Sequence, residues 1–172
     1  MYKFSGVYPK TVIFTIDRSR AKILAAHHLE YARVCREDDG LTAAHGSYNG
    51  APIALVSSVP EGMPEFLLWA EQRGAEEIIY IGASDTRDYP PGTVMVCGDA
   101  EASARTLSAA KQLAIPVTVP GTVPDGFSGA LFEQARKTGL AALAVLTVSD
   151  GTETARGILY PAARLVFETV VM

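Results

Sequence analysis

The chain has 172 residues, 48% of them hydrophobic, with a formal net charge of −4 and a pI near 5.4. That length supports one substantial core in a single domain, and the acidic balance leaves no basic field for a nucleic-acid backbone. Two cysteines, Cys35 and Cys97, lie far apart without CxxC spacing, which gives no disulfide framework or metal motif and fits a reducing, cytoplasmic compartment.

The N-terminal MYKFSGVYPKTVIFT lacks the apolar core of a signal peptide, and no apolar run reaches membrane-spanning length. Thr11 to Thr15 is a short β-branched and aromatic run. Ser19 to His28 follows with Ala21, Ile23, Leu24 and His27 at helical spacing, so the pair reads as strand, turn, helix. Glu37 to Gly40 is an acidic, glycine-ended turn. Leu41 to Tyr48 and Pro52 to Val59 then form two strands joined at Asn49-Gly50, a strong hairpin dipeptide.

Gly62 to Arg73 opens with Pro64 and Glu65, suits a helix, and stops at Gly74. Glu77 to Gly82 is a near-continuous apolar strand, as expected at a sheet centre covered on both faces. Thr93 to Cys97 is the next strand, and Asp99 is placed to cap a helix over Ala100 to Leu113. Ile115 to Val119 is strand-like. Pro120 to Gly129 reads as a loop leading to a helix from Ala130 to Lys137 that ends at Gly139. Ala141 to Val148 is the last strand, and a final helix starts near Pro161. Strands separated by helices, with one hairpin, predict an α/β fold: a three-layer α/β/α sandwich around a central mixed β-sheet.

Four segments resemble one family in order and spacing: RAKILA (Arg20 to Ala25), GSYNGAPIALV (Gly46 to Val56), EEIIYIGAS (Glu76 to Ser84) and ALAVLTVSD (Ala142 to Asp150). They are similar to the nucleoside phosphorylases, which include hexameric purine nucleoside phosphorylases and uridine phosphorylases. Typical members are longer, and the shortfall falls between Val96 and Gly139. The resemblance implies a nucleoside phosphorylase-like sandwich, a small-molecule nucleoside or nucleobase as ligand, a homo-oligomer of at least two copies, and phosphate as co-substrate with no resident cofactor.

Phosphorolysis of an N-glycosidic bond requires a held phosphate, gripped ribose hydroxyls and neutralisation of charge on the departing base. The resemblance puts Asp150 in the place of the family's general acid, and Arg164 in that of its arginine partner if one residue is inserted between them. Proton donation by such a carboxylate requires burial. For the phosphate, Arg20 matches an arginine, while Ile16 stands where the family has glycine. Tyr80, Ile81, Gly82 and Ala83 stand where it has Arg, Ile/Val, Gly and Ser/Thr, so a guanidinium and a hydroxyl are missing. Asp39 falls on an arginine that a neighbouring subunit supplies, and Ser84 and Arg87 are the available substitutes. For the ribose, the family's Met-Glu segment falls on Gly126 and Phe127 or is deleted. With the gap placed later, Phe127 matches an aromatic that stacks on the base and Met63 faces the sugar; otherwise Phe127 is a core plug.

His27 and His28 are adjacent on a helix and point apart, so no metal site is expected, and His45 reads as a surface or hydrogen-bonded histidine. There is no GxSxG elbow, GxGxxG turn or Walker loop. The tail LVFETVVM suits core packing or a subunit interface. The readings left open are glycosyl transfer to phosphate by a pentosyltransferase, a nucleosidase that uses water instead, and a non-catalytic nucleoside- or nucleobase-binding or assembly protein.

Overall fold

The computed structural model describes residues 8–38, 41–151 and 160–172. Asp39, matched above to a subunit-bridging arginine, lies outside them.

Strand β1 (Thr11–Thr15) leads into helix α1 (Arg18–His28), whose N-cap Asp17 accepts hydrogen bonds from the Ser19 and Arg20 amides at 2.8 and 3.3 Å. Strands β2 (Glu30–Asp38), β3 (Leu41–Tyr48) and β4 (Ala51–Ser58) form an antiparallel meander. The β3–β4 turn is the expected one: Asn49 and Gly50 have φ of 47° and 80°, the left-handed pair that a two-residue hairpin needs.

A 3₁₀ turn over Pro60–Gly62 starts helix α2 (Met63–Glu71), and Gly74, at φ 95°, lies just beyond its end. Strand β5 (Glu77–Ser84) follows, then β6 (Val94–Gly98), helix α3 (Ala100–Leu113), β7 (Val117–Thr118), helix α4 (Gly126–Thr138), β8 (Ala141–Val148) and helix α5 (Tyr160–Val170).

The eight strands form one mixed sheet in the order β2-β3-β4-β1-β5-β8-β6-β7. β4, β1, β5 and β8 run parallel, so β5 is central and buried along nearly its whole length. Helices α2 and α4 pack with Phe14, Tyr80 and Leu146 on one face, and α1, α3 and α5 pack with Ile13, Ile81 and Val145 on the other. The three layers expected from the sequence are present. No helix among the described residues is long and apolar enough to cross a membrane.

Four local expectations need correction. β2 is a full edge strand where only an acidic turn was expected. Its Arg and Glu residues do not alternate with apolar ones, because an edge strand is solvated and its pairing with β3 is broken by two register shifts. β6 runs antiparallel to β8, so the sheet is mixed at this end as well as at the hairpin. Helix α4 begins at Gly126, four residues early, because Asp125 caps it through the Ser128 amide and hydroxyl, both at 2.8 Å. Asp99 occupies the cap position of α3, but its carboxylate accepts from the Ala142 amide at 2.6 Å and ties β6 to β8 instead. In the C-terminal tail, Leu165, Val166 and Phe167 are core residues, while Val171 and Met172 are exposed.

Two histidines link this core to pH. His28 stacks on Phe167 at 4.5 Å, and burial followed by the neighbouring His27 lowers its pKa; burial alone lowers that of His45. Both are therefore favoured neutral in the fold, whereas the unfolded chain takes up protons near the ordinary value of 6.5. Stability is fully present above that value and declines as pH falls through it. Urea melts compared between about pH 7.5 and about pH 5.5 should show lower stability in acid, with the decline reduced in His28→Gln and in His45→Gln.

Candidate functional site

β1 is a topological switch point. From its carboxyl end the chain leaves through α1 on one face and returns by way of β4, which is then joined to β5 by α2 on the opposite face. Ligands in open α/β sheets bind beyond carboxyl strand ends at such points. Two adjoining features occupy that edge, with the last residues of β5 between them.

The first is a cleft of about 730 Å³ between the loop over residues 85–91 and residues 148–151, at the carboxyl ends of β5 and β8. Its walls are fixed by short-range bonding. The Thr86 amide donates to Ser84 Oγ at 3.3 Å, the Asp88 amide to Thr86 Oγ1 at 3.3 Å, and Thr93 Oγ1 to the Pro90 carbonyl at 2.7 Å. Backbone bonds from Ser149 to Ser84 and from Gly92 to Val148, each 2.8 Å, join the two walls at their base. Among the described residues its lining includes the carboxylates of Asp85, Asp88 and Asp150 and the guanidinium of Arg87, and Tyr89 and Pro90 supply apolar surface. Such a volume suits a small organic ligand.

The second is the packed space over Gly82 on β5. Tyr80 is 2% exposed, and its phenol runs along the strand so that a Cβ on residue 82 would overlap Tyr80 Oη and Cζ. Phe127 closes this space from α4, 4.8 Å from the Tyr80 ring and stacked on Phe14 at 6.1 Å. Burial, then the Asp125 carboxylate, pushes the Tyr80 phenol up to about 12, with the Arg20 guanidinium opposing. Arg20 Nε is buried and has no hydrogen-bond partner. Asp17, partly buried, is held below the ordinary carboxylate value: burial opposes this, but the amides of Arg20 and Ser19, the Ser19 hydroxyl and the Arg20 charge outweigh it.

These placements sort the residues singled out from the sequence. Asp150 is on the cleft wall with Arg87, and Ser84 lies at its base, buried, with its hydroxyl engaged by Thr86. Asp150 is exposed, so the burial that proton donation requires is not found. Arg164 is exposed on α5, and its charge acts on Tyr48, whose hydroxyl donates to Glu168 Oε1 at 2.5 Å. Tyr48 pairs with Ala51 at the amino end of the parallel strands, whereas Asp150 lies beyond their carboxyl end. The two are not brought together.

Met63 is 4% exposed in the core on the α2 face and does not face the cleft. Phe127 is a core plug in the first turn of α4. Gly82 lacks a side chain to make room for Tyr80 rather than for a ligand. Ala83 is exposed at the edge and offers no hydroxyl.

The sequence reading did not foresee Tyr80 filling the space over Gly82, or the wall formed by Asp85, Asp88 and Tyr89. An aromatic two residues before a strand glycine was the available signal for the first. Cys97 is buried, and burial followed by Asp125 pushes its thiol up to about 12, which leaves it inert as a nucleophile. Among the described residues no three His, Cys, Asp or Glu side chains gather as metal ligands would. No protein-family model and no curated protein sequence matches the chain.

The Tyr80–Gly82 relation predicts a steric penalty. Gly82→Ala should cost about 1–3 kcal/mol, because the phenol must leave a packed position. The same substitution should cost clearly less in a Tyr80→Leu background, as measured by a double-mutant cycle of denaturant melts. Equal costs in the two backgrounds would remove the steric explanation.

Proposed function

We propose that the protein binds a nucleoside or nucleobase in the cleft at the carboxyl ends of β5 and β8, as a nucleoside phosphorylase-like protein. The observation that carries this reading is the cleft itself: about 730 Å³, beside the switch-point strand, with Asp150 and Tyr89 on its walls. A carboxylate accepts hydrogen bonds from base or sugar donors, and an aromatic ring offers a stacking surface. The order of RAKILA, GSYNGAPIALV, EEIIYIGAS and ALAVLTVSD along the chain adds support from sequence resemblance.

Glycosyl transfer is the second reading, favoured by the position of Asp150 on the cleft wall. With Arg164 at the far end of the strands, Asp150 lacks the arginine partner that the resemblance gives it, which weakens transfer to either phosphate or water. Assembly into a homo-oligomer belongs to the same proposal; exposed Tyr31 and Val34 on the edge strand β2 support it.

Calorimetric titration with a panel of nucleosides and free bases tests the reading. Binding of at least one of them is expected, weakened about tenfold in Asp150→Asn and in Tyr89→Ala. Chromatography of the same mixtures, with and without phosphate, reads out base release, which Asp150→Asn should abolish if transfer occurs. A protein that neither binds nor cleaves any member of the panel contradicts both readings.

A further inference from the structure

A second pocket, of about 400 Å³, lies at the opposite end of the sheet from the cleft, between the end of β6, the start of β8 and helix α4. Ala141 begins β8 beside this pocket and Val148 ends the strand beside the cleft, so at about 3.3 Å per residue the two lie about 20 Å apart.

Its charged groups are placed by local structure. Phe132 and Arg136 are four residues apart on α4 and share one face of the helix. The helix stops at Gly139, whose left-handed φ of 79° turns the chain so that the Leu140 amide returns to the Ala135 carbonyl at 3.0 Å and β8 begins against the same face. Asp99 faces α4 from just past β6. Its amide donates to the Ala142 carbonyl at 2.9 Å, and its Oδ2 accepts from the Ala142 amide at 2.6 Å, which fixes the carboxylate in the pocket wall.

Arg136 and Asp99 line the same pocket, yet among the described residues they form no ion pair with each other. Glu133, the carboxylate one helical turn before Arg136, is paired with Lys137 at 2.8 Å. Two opposite charges held apart in one pocket leave room for a ligand that carries both. Between the same walls Val123, Phe132 and Leu140 supply apolar surface, and Val123 is 43% exposed, so an occupant would remove apolar area from water.

We infer that this pocket binds a small zwitterion with an apolar side chain, the chemistry of a free hydrophobic α-amino acid. The carboxylate lies on the Arg136 guanidinium, the ammonium on Asp99, and the side chain against Val123, Phe132 and Leu140. Nothing in this assignment rests on the cleft being a nucleoside or nucleobase site.

Calorimetry and thermal shift of the protein with L-leucine and with L-phenylalanine test it. At least one of the two should bind and raise the melting temperature. Isocaproate lacks the ammonium, L-leucinamide lacks the carboxylate and glycine lacks the side chain; each should bind about tenfold or more weakly than the better amino acid. Arg136→Gln, a change at an exposed helix position, should weaken amino-acid binding by about tenfold or more.

Asp99→Asn should do the same. Because Asp99 also ties β6 to β8, that variant may not fold, and the isocaproate comparison then reads the ammonium contact on the unaltered protein. Failure of both amino acids to bind overturns the inference. So does binding that Arg136→Gln leaves intact, or that isocaproate and L-leucinamide reproduce at equal strength. The nucleoside titrations read the cleft separately, so either proposal can fail while the other stands.

Discussion

A tyrosine laid lengthwise along a central strand needs a neighbour with no side chain, and the residue two positions ahead on the same face is the one it covers. Tyr80 and Gly82 meet this requirement on β5, the strand that pairs with both β1 and β8 and is sealed by helices on both faces. The phenol links the core to the functional edge of the sheet. Below it, Phe14, Phe66 and Phe127 continue the aromatic packing into the α2 and α4 layer. Above it lie Ser84 and the loop that walls the cleft.

The carboxyl edge holds two chemically different neighbourhoods. Beside Gly82, burial and the Asp125 carboxylate, itself held by the Ser128 amide and hydroxyl, keep the Tyr80 phenol protonated. At the ends of β5 and β8, the described lining of the cleft comprises Asp85, Asp88, Asp150 and Arg87 together with Tyr89 and the two prolines. The rigidity of the cleft loop follows from its sequence: two successive prolines, a glycine at φ 87° and threonine hydroxyls bonded to backbone groups leave it few alternative conformations.

Much of the fold was legible because its signals are local. Asn49-Gly50 specifies its own turn, Gly74 and Gly139 follow helix ends in the left-handed region, and the apolar runs of β5 and β8 mark strands covered on both faces. Strand β2 was not legible, because an edge strand with bulges has no reason to alternate polar and apolar residues. The start of α4 was hidden by the surrounding prolines and glycines, although Asp125 and Ser128 are the cap and its partner.

The site was legible only in part. Asp150 and Ser84 fall at the cleft because strand ends are readable, but the separation of Arg164 from Asp150 depends on where α5 lies along the sheet, which no local pattern encodes. Gly82 was matched to the phosphate-site glycine by resemblance, whereas in the fold the space over it is taken by a residue of its own strand. Met63 and Phe127 carry side chains that serve a core as well as a pocket, and packing alone decides between them.

The central claim is that the cleft at the carboxyl ends of β5 and β8 is the ligand site, beside a strand whose own tyrosine fills the space over Gly82. A crystal structure of the protein with a nucleoside or base identified by calorimetry tests it most directly. The account predicts density for the ligand against Tyr89 and Asp150, with the Tyr80 ring still over Gly82. Density for the ligand elsewhere on the molecule, with the cleft empty, would contradict it.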